Sequence, residues 1–196
     1  MTHSNQKLKR DLLFWSGGKD AYLALLYYRE NHTNDPVLLT TYDDESGRVP
    51  HQDIPIKNIY NQSIALELPL ITVPLSYPAS NKEYLNAIEN AISDSPFNIQ
   101  NLVFGDLHLE DIRKWREEEF RKLGFDCLFP IWNKPYKELY DRLEREKVTI
   151  RITGVKDDYR DLIKPGTLFN RDFIDSLPEG IDLMGENGEF HTKVMF

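Results

Sequence analysis

Leu12-Leu13-Phe14-Trp15-Ser16-Gly17-Gly18-Lys19-Asp20 decides how this chain is read. An apolar run suited to a short buried strand stops at Ser16, passes through two glycines and enters Ala21–Tyr28, which reads as a helix. Strand, glycine turn and helix N-terminus in that order make a phosphate cradle. Gly17 and Gly18 let the backbone approach an anion, the first helical N–H groups point at it, and Lys19 adds a point charge. Neither Gly-x-x-x-x-Gly-Lys-Ser/Thr nor Gly-x-Gly-x-x-Gly occurs, so the loop belongs to neither of those phosphate-binding classes. A tight turn that needs glycine and nothing more is the plain alternative. Ser16, both glycines, Lys19 and Asp20 together, directly after the first apolar strand, favour phosphate, because open α/β sheets bind ligands at the carboxyl ends of their strands.

Outward from this loop, strands alternate with helices. Pro36–Tyr42 reads as a second strand, followed by turn residues Asp43–Gly47 and a helix over Ile54–Glu67. Leu70–Pro74 is a third strand. Tyr84, Leu85, Ile88 and Ile92 share a helical face, with Ser80-Asn81 where an N-cap belongs. Leu102–Phe104 is a fourth strand, and a charged helix over Leu109–Leu123 is stopped by Gly124. Asp126–Pro130 is a short fifth strand, Tyr136–Glu146 a helix and Val148–Ile152 a half-exposed strand. After Asp157 the pattern is less regular, until a terminal strand follows Gly185-Glu186-Asn187-Gly188-Glu189. Strands separated by helices of this length predict an α/β fold: right-handed crossovers and a Rossmann-like parallel sheet with helices on both faces.

Composition sets the bounds. Asp plus Glu outnumber Lys plus Arg by 32 to 24, a net charge of −8, which disfavours a nucleic-acid binder. Cys127 is the sole cysteine, so no internal disulfide or Cys-x-x-Cys zinc site forms within one chain, and a reducing, cytoplasmic setting is the default. No apolar run approaches the ~18 residues of a membrane span, and Met1–Arg10 lacks the apolar core of a signal peptide.

Ser16-Gly17-Gly18-Lys19-Asp20 after the first strand resembles the signature of the PP-loop ATP pyrophosphatases, whose fold is that of the adenine-nucleotide α-hydrolases. The family pattern usually continues with Ser where this chain has Ala21, so one hydroxyl contact to phosphate is missing. Val103-Phe104-Gly105-Asp106, Leu109-Glu110-Asp111-Ile112-Arg113, Arg116-Glu117, Phe129-Pro130-Ile131-Trp132 and the terminal Gly-Glu-Asn-Gly-Glu-Phe-His-Thr are similar to blocks of the diphthine–ammonia ligase (diphthamide synthetase) group. They span nearly the whole chain in the expected order. Asp182-Leu183-Met184-Gly185 departs from the Asp-Pro-Cys-Gly often seen there.

The candidate site residues follow. Leu109, Ile112, Phe120 and Leu123 form an expected inward stripe, and Arg116 falls on it, where a guanidinium must be paired or must face an anion. An ion pair with a neighbouring acid is the bland reading; holding phosphate or the leaving pyrophosphate, with Arg113 one turn earlier, is the functional one. Asp20 is the first choice for Mg2+, which takes one or two carboxylates beside the phosphates. Asp106 either lines the nucleotide site or caps its helix. Tyr42 and Gly105, at strand ends, join the nucleotide-binding set, as does His51, where the resembled group also carries a histidine. Glu186 and Glu189 flank Asn187-Gly188: a hairpin turn with solvated acids by pattern, a catalytic acidic loop by resemblance. His191 and Thr192 follow on the terminal strand; Trp132 reads as core.

The resemblance implies a nucleotide lobe over residues 1–105 and a smaller substrate lobe over 106–196. It implies a ligase that uses Mg2+ and ATP. A substrate carboxylate attacks the α-phosphorus, pyrophosphate leaves, and ammonia or another amine captures the acyl-adenylate. The acceptor is a small molecule or a protein such as elongation factor 2. Alternatives are a PP-loop tRNA-modifying enzyme and a nucleotide-binding module without turnover. The sequence leaves the oligomeric state open, a homodimer being one option.

Overall fold

The structure, a computed structural model, describes residues 7–196. Strand β1 (Leu8–Phe14) is its centre, because the apolar Leu12 and Leu13 are wholly buried on opposite faces of one sheet. β1 pairs in parallel with β2 (Val37–Asp43) on one side and β6 (Phe97–Val103) on the other. β2 pairs with β5 (Leu70–Leu75), and β6 with β7 (Asp126–Leu128), both in parallel. The parallel order is therefore β5-β2-β1-β6-β7, a Rossmann-like arrangement that reverses direction between β1 and β6. A short antiparallel hairpin, β3 (Arg48–Val49) and β4 (Ile54–Pro55), extends the end of β2. The expected helix over 54–67 accordingly starts two residues later, as α2 (Ile56–Leu66), since Ile54 is spent on pairing with Val49.

Helices cover both faces. Helix α1 (Lys19–Asn31) has an unbroken buried run from Ala21 to Tyr28, which is why it lacks a polar face. It lies between the sheet and the C-terminal part of the chain. On the opposite face, α3 (Asn81–Asp94) packs Ile88 and Ile92, and α4 (Glu110–Lys122) packs Phe120. α3 opens with the expected cap: Ser80 Oγ accepts from the Glu83 N–H, and Glu83 accepts from the Ser80 N–H at 2.8 Å. α4 ends at Gly124, whose φ of +87° lets Phe125 N–H donate to Phe120 O and Gly124 N–H to Arg121 O. The stripe expected on α4 is narrower than the spacing suggests. Phe120 is buried but Ile112 is exposed, because the helix start lifts off the sheet.

Helix α5 (Tyr136–Glu144) leads to a second, antiparallel sheet of β8 (Thr149–Val155) and β9 (Phe190–Met195), with a short α6 (Arg171–Asp175) between them. This sheet shares one apolar core with α1 and the first sheet. The division expected at residue 105 needs correction: α4 feeds β7 back beside β6, so the first sheet continues to Leu128 and residue 105 cuts through it. No helix among the described residues is long and apolar enough to cross a membrane.

Candidate functional site

The β1–α1 and β6–α4 loops meet where the strand order reverses, the place where such sheets bind ligands. Gly105 makes the junction: a Cβ there would lie 2.8 Å from the Asp20 carbonyl oxygen. In front of the junction opens a cleft of about 560 Å³. Ser16, Asp20 and Ala21 contribute from the first loop, Gly105, Asp106 and Arg116 from the second, and Glu186, His191 and Thr192 from the C-terminal wall. Tyr42, Tyr77, Tyr84 and Trp115 add aromatic surface to the lining, Tyr77 against His51.

The first loop is built largely from contacts to the C-terminal sheet. Gly17 adopts φ +80°, and a Cβ on it would strike Ile59 Cδ1 at 2.6 Å and Gln62 Oε1 at 2.7 Å. Buried Gln62 accepts from Trp15 Nε1 at 2.9 Å and donates to Gly17 O at 3.0 Å and Val194 O at 2.7 Å. Val194 N–H donates to Gly17 O, and Lys19 N–H donates to Thr192 Oγ1 at 3.0 Å. The helix N-terminus is thus partly capped from within the protein. The Lys19 ammonium turns away from the cleft. It bonds both Asp20 oxygens at 2.8 Å and sits 5.6 Å and 5.9 Å from the ring centres of Phe169 and Phe190.

The second loop is arranged differently. Arg116 lies 4.3 Å over the Phe104 ring and is ion-paired with Asp106: Nη2 donates to Oδ1 at 3.3 Å, while Nε stands 2.8 Å from Oδ2 without the alignment of a hydrogen bond. Asp106 therefore does not cap α4, whose N-cap is Leu109 without a side-chain bond. Arg113 stands outside the cleft, stacked 4.9 Å over Phe129 and 4.7 Å over Trp132 and paired with Glu117 at 2.9 Å.

The acidic loop divides its two glutamates. Glu186 faces the cleft; Glu189 is buried inside the turn, accepting from the backbone N–H groups of Asp182 and Asn187 at 3.0 Å each, and from Asn187 Nδ2. Asp182 steadies the same loop, accepting from Tyr136 Oη at 2.7 Å and from the Met184 and Glu186 N–H groups.

Electrostatics follows from burial. Burial pushes the Glu186 carboxyl up to about 8, and the nearby charge of Asp20 adds to this against the pull of Lys19, so Glu186 is mostly protonated at neutral pH. Burial raises Asp20 as well, opposed by Lys19. Burial, His51 and Lys19 lower His191 to about 4, leaving it neutral.

Of the residues expected from the sequence, Ser16, Asp20, Tyr42, His51, Gly105, Asp106, Arg116 and Glu186 line one cleft, while Gly17, Gly18, Lys19, Arg113 and Glu189 do not. Gln62, Tyr84 and Trp115 were not among the expectations. Gln62 had a readable signal: it lies three residues after Ile59 on an apolar helical face, where an amide must find partners.

No protein-family model matches the chain, and no curated protein does either. Among solved structures, the chain is similar to a predicted subunit of tRNA methyltransferase from Methanocaldococcus jannaschii, at 16% identity and a TM-score of 0.46, over 96% of this chain and 97% of that one. A likeness at that level says nothing of chemistry.

Proposed function

We propose that this chain is an ATP-dependent enzyme of the PP-loop type, a C–N ligase of the diphthine–ammonia ligase kind that activates a carboxylate with release of pyrophosphate. The observation that carries the reading is the meeting of two strand-end loops at the switch point, with an ion-paired arginine, the carboxylates of Asp20, Asp106 and Glu186 and several aromatic rings on one cleft. In this reading the base stacks toward Tyr42 and Tyr77, and the phosphates run over Ser16 toward Arg116. Stacked on Phe104 and fixed by Asp106, Arg116 is already oriented to meet charge as it builds on the departing pyrophosphate.

The donor set fits Mg2+. Asp20, Asp106 and Glu186 offer hard oxygens; burial above all, with the neighbouring carboxylates adding to it, raises the Asp20 and Glu186 pKa values, and a cation offsets both effects. No cluster of three such ligands is pre-built among the described residues, in keeping with an ion held by one or two carboxylates plus phosphate oxygens. Asp20 would hold it, leaving Glu186 for proton exchange, and when bound the ion would neutralise phosphate charge. Lys19 serves by fixing Asp20 rather than by touching phosphate.

The substrate carboxylate forms a bond to the α-phosphorus as the bond to the β-phosphate oxygen breaks. An amine then attacks the acyl carbon and AMP leaves, the amine's proton passing to ionised Glu186; a carboxyl titrating near 8 suits that exchange. A nucleotide-binding module without turnover is the second reading, favoured by the withdrawal of the Lys19 ammonium and N–H into internal contacts.

Product analysis separates them. With ATP, Mg2+, ammonium and carboxylic acids, AMP and pyrophosphate are expected in equal amounts. Tight ATP binding with no turnover leaves the second reading standing, and release of ADP and phosphate overturns both.

A further inference from the structure

Behind the His51–His191 pair lies a second cavity, of about 880 Å³, that shares His51, Gly188 and His191 with the first. The imidazole ring centres stand 5.9 Å apart, and both rings line both spaces, at the place where the two adjoin. Its geometry is specific. The β8–β9 ladder shifts register between Ile152 and Val155, so Thr153 and Gly154 form a bulge. At Gly154 a Cβ would lie 2.3 Å from the His51 carbonyl oxygen, and His51 itself takes φ +65°. The bulge thereby seats His51 against β8, with Thr153 on the cavity wall. Thr153 Oγ1 is buried without a hydrogen-bond partner, a costly state for a hydroxyl unless a ligand meets it.

The charge of this cavity is opposite to that of its neighbour. Lys156 forms no ion pair among the described residues, and Arg160 answers only the exposed Asp157 and the Val155 carbonyl. Asp53, the acid on this wall, is matched by Arg48. A basic chamber thus adjoins a carboxylate-rich cleft in a chain of net charge −8. Both volumes fall within the ~300–1,000 Å³ of small-molecule sites.

We infer that this second cavity is the acceptor's tail site: the carboxylate to be activated enters the first cleft while a second anionic group of the same small acid, a carboxylate or a phosphate, rests on Lys156, Arg160 and Thr153. The inference rests on the proposed function for the reacting end.

Amide NMR titration tests it on the whole protein, with glutarate, neutral glutaramide and inorganic phosphate as probes. Glutarate and phosphate are expected to shift the Thr153, Gly154 and Lys156 amides saturably, glutaramide not at all. The double variant Lys156→Ala/Arg160→Ala weakens the response at least tenfold, and Thr153→Val weakens it without unfolding the chain. ATP, followed at Gly105 and Arg116, keeps its wild-type affinity in the double variant. Glutarate shifts that are absent, or undiminished in the double variant, overturn the tail site, as does an RNA oligomer or acidic peptide binding there in its place. Shifts from glutarate with none from ATP at Gly105 strike the nucleotide reading instead.

Discussion

The two loops at the switch point carry ion pairs of opposite polarity. In the β1–α1 loop the cation is hidden and the acid faces the cleft: the Lys19 side chain is 3% exposed, that of Asp20 27%. In the β6–α4 loop the acid is the more hidden partner, Asp106 at 14% against Arg116 at 22%. One loop thus offers the cleft a carboxylate, the other a guanidinium. The difference comes from what stands behind each. Behind the first is the C-terminal sheet, whose Phe169 and Phe190 accept an ammonium; behind the second is Phe104, on whose face a planar guanidinium lies. A residue's position in a phosphate-type loop does not decide what it presents; the packing beneath it does.

The sharpest way to break this comparison is Gly17→Ala. It combines a positive φ with collisions against the side-chain ends of Ile59 and Gln62, the latter held by its own hydrogen bonds, and is expected to cost about 3–4 kcal/mol in urea unfolding. Gly124→Ala, with the same sign of φ but open space around it, is expected to cost only about 1 kcal/mol. Equal losses would mean that the first loop is not packed tightly against α2. Next comes Asp20→Asn, which leaves the Lys19 ammonium buried between two phenylalanines without its anion; about 2–4 kcal/mol of stability should go, with nucleotide affinity.

Arg116→Met acts in the other direction. It takes the ion-pair partner from a mostly buried Asp106, so stability should fall by about 1–2 kcal/mol while ATP affinity, measured by calorimetry, falls at least tenfold, about 1.4 kcal/mol. Glu186→Gln acts with the opposite sign, stabilising the chain. With its folded pKa near 8 against 4.5, Glu186 keeps a proton that the unfolded chain releases, so stability falls as pH rises from about 4.5 to about 8. The amide removes that slope, so the variant should equal the wild type at pH 4 and gain on it steadily as pH rises toward 8. A slope that survives in the variant removes Glu186 from the carboxylate cluster.

The parallel sheet, though not its strand order, could be read from the chain because its strands carry short apolar stretches, such as Leu12–Phe14, Val37–Leu39 and Leu102–Phe104, followed by turn residues. The cleft's strand-end residues, Ser16, Asp20, Gly105 and Asp106, could be read for the same reason: they come directly after such runs. What could not be read were side-chain directions. Lys19 and Glu189 both sit in glycine-rich loops that look open to solvent, yet each is drawn inward by partners far away in sequence or inside its own turn. Arg113 and Arg116 lie three residues apart on α4 and differ in the aromatic ring beneath them, Trp132 with Phe129 or Phe104, and in the acid that pairs with them, Glu117 or Asp106. The β3–β4 hairpin escaped notice because two-residue strands leave no periodicity to detect.

Gln62 has a consequence for how the protein is made. Its amide joins Trp15 and Gly17, synthesised early, to Val194, synthesised late, and the Lys19 N–H waits for Thr192 across 173 residues. On the ribosome the first strand and its helix can assemble with β2 and β6. The glycine loop, however, keeps unmet donors and acceptors until residues 190–195 have emerged. A nascent chain therefore has its sheet before it has its site.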